Sequence, residues 1–581
     1  MFSDRYARRL YFALTLCLLT QGNAHAEEAL AEEAMADAVY LNGSIYTVDG
    51  QNPWSEAVAI RDGRFIHVGS NEAVTKFIGP ETERIDLEGK MAMPGLYDLH
   101  IHFIQGSEET TFGCRFSETA TPTEIFATVR KCVDDDVQAI TGWIVGGSWD
   151  ASYLDQPERF NKSLLDEVAP DIPVLLWNNA HHDALANSEA LALLGITADS
   201  TDPENGRIER LPDSTEPNGL LIETAAFEAG AQLPLLTKEQ LAGAALQTQS
   251  RLNGFGVVGI KDAGTTSLAL QTYKYLDDQD ELTLRVATSI LWQLSFFGPP
   301  EDTRAVVRDR HRYRGNKVGT DFVKIFLDGA PPGKTAAFLD PYVADEQHGA
   351  DYRGYMIDSA QLTQDLIMLD AQGITVKMHA AGDASARAAL DAVEATRKAN
   401  GESGLFHEVS HASFIHPDDI PRFEQLGAAA EFSPVIWHPH PVLDYLGGFL
   451  DDGRVDRMWP IRSIVDTGAL GIAGSDWPTV GADDPNPWPA IEAMVTRRHP
   501  TEGHPGVLGP EEALPLERVL EIYTINGATG IRQESETGSI ETGKSADMII
   551  LDRNLFEIEP EDISETRVLK VILEGEVVHS S

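Results

Sequence analysis

Over roughly four hundred residues the chain alternates short apolar runs with longer stretches of helical periodicity, and this alternation restricts its fold more than any other feature. The runs are "WIVGG", "VLLWNN", "VVGIKDAG", "LRVATSIL", "FVKIFLDG", "ITVKMHAAGD", "HEVSHAS", "AAAEFSP" and "LGIAGSD". Between them "TKEQLAGAALQTQSRLNGFG", "DSAQLTQDLIMLDAQG" and "ASARAALDAVEATRKANG" carry apolar residues at helical spacing and close on Gly. Strand, helix, strand over this length predicts a parallel α/β architecture. Polar and charged residues fall at the ends of the runs, where barrel enzymes keep their chemistry.

The two ends of the chain read differently. "AVYLNGSIYTVDG", "AVAIRDGRFIHVG" and "ERIDLEGKMAMPG" are short alternating strands broken by Asn-Gly, Asp-Gly and Glu-Gly, and "GSIETGKSADMIILDRN" and "RVLKVILEGEVVHSS" repeat that texture. Together they predict one discontinuous β domain drawn from both termini. Ahead of it, Arg5, Arg8 and Arg9, an apolar segment from Leu10 to Leu19 and Ala24-His25-Ala26 form a secretory signal, with cleavage expected after Ala26 and a periplasmic or secreted product. About ten apolar residues are too few to span a bilayer. Residues 27–38 form an acidic, alanine-rich leader.

The formal net charge of −46 becomes about −48 once the signal's three arginines and Asp4 are removed. Such a chain repels nucleic acid and anionic membrane surfaces, so neither is an expected partner. Of the three cysteines, Cys17 leaves with the signal. Cys114 and Cys132 remain, and in an oxidising compartment they either pair or stay as two buried thiols. Two cysteines exclude a Cys-based zinc finger.

In "MPGLYDLHIHF" a strand places Asp98, His100 and His102 on one face, with the two imidazoles rooted about 7 Å apart. His-x-His alone is a modest signal for a metal. It gains weight from "VKMHAAGD", ending in His379, "EVSHASF" with His411, and "GIAGSDWP" with Asp476, each after an apolar run and beside small residues. Four imidazoles and a carboxylate suit zinc or a similar divalent ion.

With these motifs on one chain, the sequence resembles the amidohydrolase superfamily, in particular the amidohydrolase family 3 branch of YtcJ-like metal-dependent hydrolases, which includes N-substituted formamide deformylases. "GWIVGGSWDASYL", "HHDALANSEAL", "NGLLIETA", "FVKIFLDG", "MHAAGDASARAALDA", "SHASFIHPDDIPRFEQLG", "GSDWP" and "TINGAT" match family patterns in the family's order from about Val39 onward. The resemblance implies a distorted (β/α)8 TIM barrel with a composite β-sandwich. The expected layout is a first sandwich segment at 39–93, the barrel at 94–526 with an insertion at about 104–223, and a second sandwich segment at 527–581.

It further implies one or two divalent ions, with zinc expected. His100 and His102 would bind one ion, while His379 and His411 bind a second or share the first. Lys324 falls on a metal-bridging lysine that is often carboxylated in the family. Asp476 falls on a ligand that also acts as general acid/base, which hydrolysis by a metal-activated hydroxide requires. His182, Glu223 and Trp437 are candidates for substrate contact, with capping or network roles open for His182 and Glu223. Asp328 reads as a turn residue and Asp383 as the cap of the helix after it. In "GAPPGKTAAF" two prolines stand where the family is rich in Gly and Ser, stiffening a loop close to the site.

The expected function is therefore hydrolysis of a non-peptide C–N bond, amide or formamide, in a small molecule. A lactonase, esterase or deaminase on the same fold, and a non-catalytic secreted metal-binding or regulatory protein, are the rival readings. A homodimer is an open expectation.

Overall fold

The computed structural model describes residues 35–581 apart from 118, 157–158, 293–300, 346–347, 435–438, 440, 451–452, 480–483 and 501–503. The expected signal peptide and Trp437 lie outside the described residues.

Eight parallel strands follow one another around a barrel: β1 (Leu96–Ile101), β2 (Val257–Thr265), β3 (Arg285–Leu291), β4 (Val318–Phe326), β5 (Thr375–His379), β6 (Glu408–Ser410), β7 (Ala429–Phe432) and β8 (Leu470–Ala473). Each pairs with its sequence neighbour, as crossover helices between consecutive strands require. The barrel closes just past the strand ends, where Asp476 donates its N–H to the His100 carbonyl at 2.6 Å and His102 donates to the Trp477 carbonyl at 2.8 Å. Gly474 allows this approach, because a Cβ there would lie 2.1 Å from the His100 nitrogen.

Four helices matter below: α1 (Phe103–Phe112), α2 (Thr224–Gly230), α3 (Lys238–Gly254) and α4 (Asp383–Asn400). α3 starts at a capping box between Thr237 and Gln240 and buries Leu241, Ala245, Thr248 and Leu252 at helical spacing. At α4 the expected cap is corrected. Gly382, not Asp383, is the N-cap and makes no side-chain capping bond, while Asp383 accepts the Leu339 N–H at 2.8 Å. A Cβ at 382 would stand 1.9 Å from the Ala337 carbonyl oxygen, so packing against the preceding loop excludes any capping side chain.

Both ends of the chain meet in one sheet. Ser44–Tyr46, Trp54–Ser55 and Met91–Pro94 pair through Met548–Leu551 with Val568–Leu573 and Glu576–Ser580. A four-stranded sheet of residues 38–86 packs on it, and Tyr40, Val58, Phe65, Met548, Ile550 and Ile572 share the core between them. Arg285 at the start of β3 ties the barrel to this layer through Asp547 and Ser545, each at 2.9 Å.

Residues 114–223 form a six-stranded sheet of their own, packed on a core that includes Trp149, Phe160 and Leu185. A Cys114–Cys132 disulfide lies in that core, which settles the cysteines as a pair.

Candidate metal centre

All six candidate ligands come to the C-terminal mouth of the barrel. His100 lies on β1 and His102 just after it, Lys324 near the end of β4, His379 at the end of β5, and His411 and Asp476 just past β6 and β8. Donor atoms of His100, His411 and Asp476 lie within 4.8 Å of one another, a spacing that could hold one ion. His102 joins them with Nε2 3.4 Å from Asp476 Oδ1. His379 Nδ1 is 3.0 Å from His411 Nε2, and Lys324 Nζ is 3.3 Å from His100 Nε2. The six are one continuous cluster at the floor of a cavity of about 150 Å³, walled by Phe227, Phe326, Leu446 and Trp459.

The donor chemistry fits a divalent cation. Burial, with Lys324 nearby, holds the His100 imidazole well below the usual histidine range, and burial brings His411 down to about 4. Burial and then His411 lower His379 in the same way. These imidazoles are neutral at physiological pH, with lone pairs free for a metal. Burial would raise Asp476, but the attraction of a protonated His100 or His411 and a hydrogen bond from His102 lower it, so a proton shared within the cluster sits on a ring before it sits on the carboxylate. Burial and then Lys377 lower Lys324 to about 7.

Behind these side chains runs a line of buried charges. His100 Nδ1 is 2.5 Å from Glu431 Oε2 on β7. Lys377 on β5 lies 3.5 Å from Glu431 and 2.8 Å from Glu408 on β6, and Glu408 also pairs with Lys261 on β2. Since a carboxylate only accepts, Glu431 holds the proton on His100 Nδ1 and leaves Nε2 facing the cluster. None of these four charged residues stood out in the sequence. A signal was present: charged residues inside apolar strand runs, with Lys377 two positions before His379, must be paired if buried.

Of the substrate-contact candidates, His182 faces the cavity, its ring 5.6 Å from that of His379 and its Nδ1 2.9 Å from Glu223 Oε2. Burial works against protonation of His182, but Glu223 prevails and raises it. Glu223 itself is buried behind His182 and accepts the Thr335 hydroxyl, so it holds His182 in place and does not line the cavity. Asp328 accepts N–H bonds from Ala337, Ala381 and Gly382 and the Ser385 hydroxyl, pinning the Pro331-Pro332 loop to the end of β5. Pro331 and Pro332 contribute to the cavity wall.

His181, Glu223, His411 and Asp476 all adopt left-handed backbone, with φ between 50° and 71°. Non-glycine residues in this region are strained, and three of these line the cavity while Glu223 stands directly behind His182, an arrangement typical of a site whose geometry matters more than local backbone energy.

Known proteins place this arrangement. The chain is 28% identical to an N-substituted formamide deformylase of Arthrobacter pascens, covering 93% of this chain and 98% of that one. It is 26% identical to the putative amidohydrolase YtcJ of Bacillus subtilis, covering 93% and 99%. It shares its fold with an uncharacterized metal-dependent hydrolase of Pyrococcus horikoshii, with a TM-score of 0.69 at 22% identity, over 90% of this chain and 99% of that one. Residues 83–579 match the amidohydrolase family as a whole, and the chain belongs to that family.

Proposed function

We propose that this protein is an exported metal-dependent hydrolase that cleaves a non-peptide C–N bond of the amide or formamide type. The observation that carries the reading is the convergence of His100, His411 and Asp476, donors from the first, sixth and last barrel strands, on one point at the cavity floor. The formamide-cleaving activity named for the A. pascens relative supports the bond type. The Cys114–Cys132 disulfide supports an oxidising compartment.

His100, His102, His379, His411 and Asp476 would hold one or two ions, with zinc the ion their nitrogen-rich set favours. The ion, when bound, supplies the Lewis acidity that polarises the carbonyl and makes water nucleophilic at neutral pH. The protein's own groups do the rest. Asp476, kept ionised, accepts the proton of the attacking water at a carboxylate oxygen and returns it to the leaving nitrogen. Glu223 favours the protonated form of His182, and in that form the ring, which faces the cavity, can donate to a carbonyl oxygen as it gathers charge. Lys324, lowered to about 7, has a large uncharged fraction at neutral pH, and its neutral amine can add carbon dioxide and release one N–H proton to form a carbamate, placing a carboxylate among the histidines. Phe227, Phe326 and Trp459 exclude water from the reacting end of the substrate.

The test is a panel of formamides, amides, esters and lactones offered to metal-loaded and to chelator-treated protein. Hydrolysis of a C–N compound, lost on chelation and regained with added zinc, is the expected result. Turnover confined to esters or lactones, or turnover indifferent to chelation, would overturn the assignment.

A further inference from the structure

A second cavity of about 150 Å³ lies beside the first, and His102 lines both. It is bounded by α1, the strands of the 114–223 sheet that carry Val145 and Trp177, and the connection from α2 to α3, with aromatic surface from Phe112, Trp143 and Trp177. Three carboxylates lie among these apolar walls: Glu108, Glu109 and Asp262. Two are engaged. Glu109 accepts from the Gln105 amide at 2.9 Å and from the His181 ring at 3.1 Å, and Asp262 accepts from the Tyr273 hydroxyl at 2.6 Å and the Gly264 N–H at 3.1 Å. Glu108 has no hydrogen-bond or ion-pair partner among the described residues.

We propose that this cavity binds an organic cation, the alkylammonium end of the substrate, with Glu108 as its counter-charge and the aromatic walls as its cage. Calling the ligand a substrate rests on the hydrolytic reading above; the binding site does not. Each rival occupant fits the walls less well. A neutral apolar group would strip water from Glu108 and give nothing back, and an anion would face three carboxylates. A hard metal ion needs six or more oxygens, and here only one carboxylate is uncommitted. An alkylammonium uses both features, pairing with the carboxylate while its methylene or methyl groups lie on the rings. Burial and the neighbouring Glu109 already raise Glu108 to about 7, and a cation would relieve both.

Adjacency to the metal-side cavity gives the site its meaning. His102 forms a wall of both, and Glu109 of the second cavity holds His181 of the first. A substrate bridging the two would place its scissile bond over the histidine cluster and its positive end beside Glu108.

The discriminating probes are choline and 3,3-dimethylbutan-1-ol, which match in shape and differ in charge. Calorimetric titration of the full-length protein should show choline binding about tenfold tighter. Prior treatment with a chelator should leave that preference intact. Glu108→Gln should bring the two probes within about twofold of each other by weakening choline alone. Leu235→Lys, at a rim position 54% exposed and therefore safe for folding, should weaken choline in the same selective way. Equal binding of the two probes, binding of neither, a preference that survives Glu108→Gln, or a preference lost on chelation would each overturn the proposal. If choline behaves as expected and no C–N compound is hydrolysed in the panel, the cation site stands and the reaction assignment falls.

Discussion

Replacing Glu431 by Gln tests whether the buried charges behind the cluster tune the metal centre or only fill the barrel. Glu431 Oε2 accepts from the His100 ring at 2.5 Å and the His411 N–H at 3.4 Å, and it forms an ion pair with Lys377 at 3.5 Å. Gln can keep its carbonyl oxygen in that position, so the shape survives and the negative charge does not. The new amide NH2 then occupies the place of Oε1, a buried atom with no hydrogen-bond partner. His100 loses the ionic acceptor that raises its basicity toward a metal, a change that costs about 10–100-fold in affinity, or about 1.4–2.7 kcal/mol. Lys377 retains Glu408 at 2.8 Å, so the stability loss should fall short of the roughly 3–5 kcal/mol seen when a buried charge loses its only partner. Zinc affinity by competition with a chromophoric chelator, alongside urea unfolding of the metal-free protein, separates the two effects. Lys261→Met is the control: it breaks the far end of the same line, at Glu408 and the Gly530 carbonyl, and should cost stability while leaving zinc affinity unchanged. Wild-type zinc affinity in Glu431→Gln would refute the argument, as would an equal loss in Lys261→Met.

Three further outcomes are expected. Asp476→Asn should lower kcat/KM by about 10²–10⁴-fold on any substrate found in the panel, and wild-type rates would remove its proton-transfer role. Burial would raise Asp370, but bonds from His407, Ser403 and Asn400 hold it well below its unfolded range. That stabilisation is present in full above about pH 5 and is lost as pH falls through the folded value, so Asp370→Asn should lower stability at neutral pH and the gap to the wild type should narrow as pH falls toward 3. A urea series from pH 7 to pH 3 showing a constant gap would contradict this. Cys114→Ser with Cys132→Ser opens a crosslink across 18 residues and should cost about 3 kcal/mol, read by chemical denaturation; an unchanged midpoint would show that the crosslink leaves stability untouched.

The barrel and the two-ended β layer were legible because both leave periodic traces: apolar runs against helical spacing in the middle, alternation against Gly turns at the ends. The ligand candidates were legible for a similar reason, since His100, His379 and Asp476 stand at the ends of apolar runs, where a strand delivers its last side chains to the barrel mouth. Which of them converge was not. That depends on β1 meeting β8 across the Gly474 contact, a juxtaposition of residues almost four hundred positions apart. Glu431, Glu408, Lys377 and Lys261 escaped notice because single charges inside apolar strands suggest edges or turns until the opposite strand is known. Asp383 misled because helix-start chemistry is local, while the contact of Gly382 with Ala337 is tertiary.

The sheet shared by the two ends of the chain governs more than the base of the molecule. β1 begins two residues after Met91–Pro94, and that strand pairs with Met548–Leu551, so the layer clasps the chain where it enters the barrel and again after it leaves. The seam between β1 and β8, where donors from the first and last strands meet, is thereby latched from outside the barrel. Because the latch needs residues 548–580, the seam that joins donors from the first and last strands depends on both ends of the chain and not on any local segment. A lesion in the sandwich is therefore expected to loosen that seam and, with it, the spacing of His100 and Asp476.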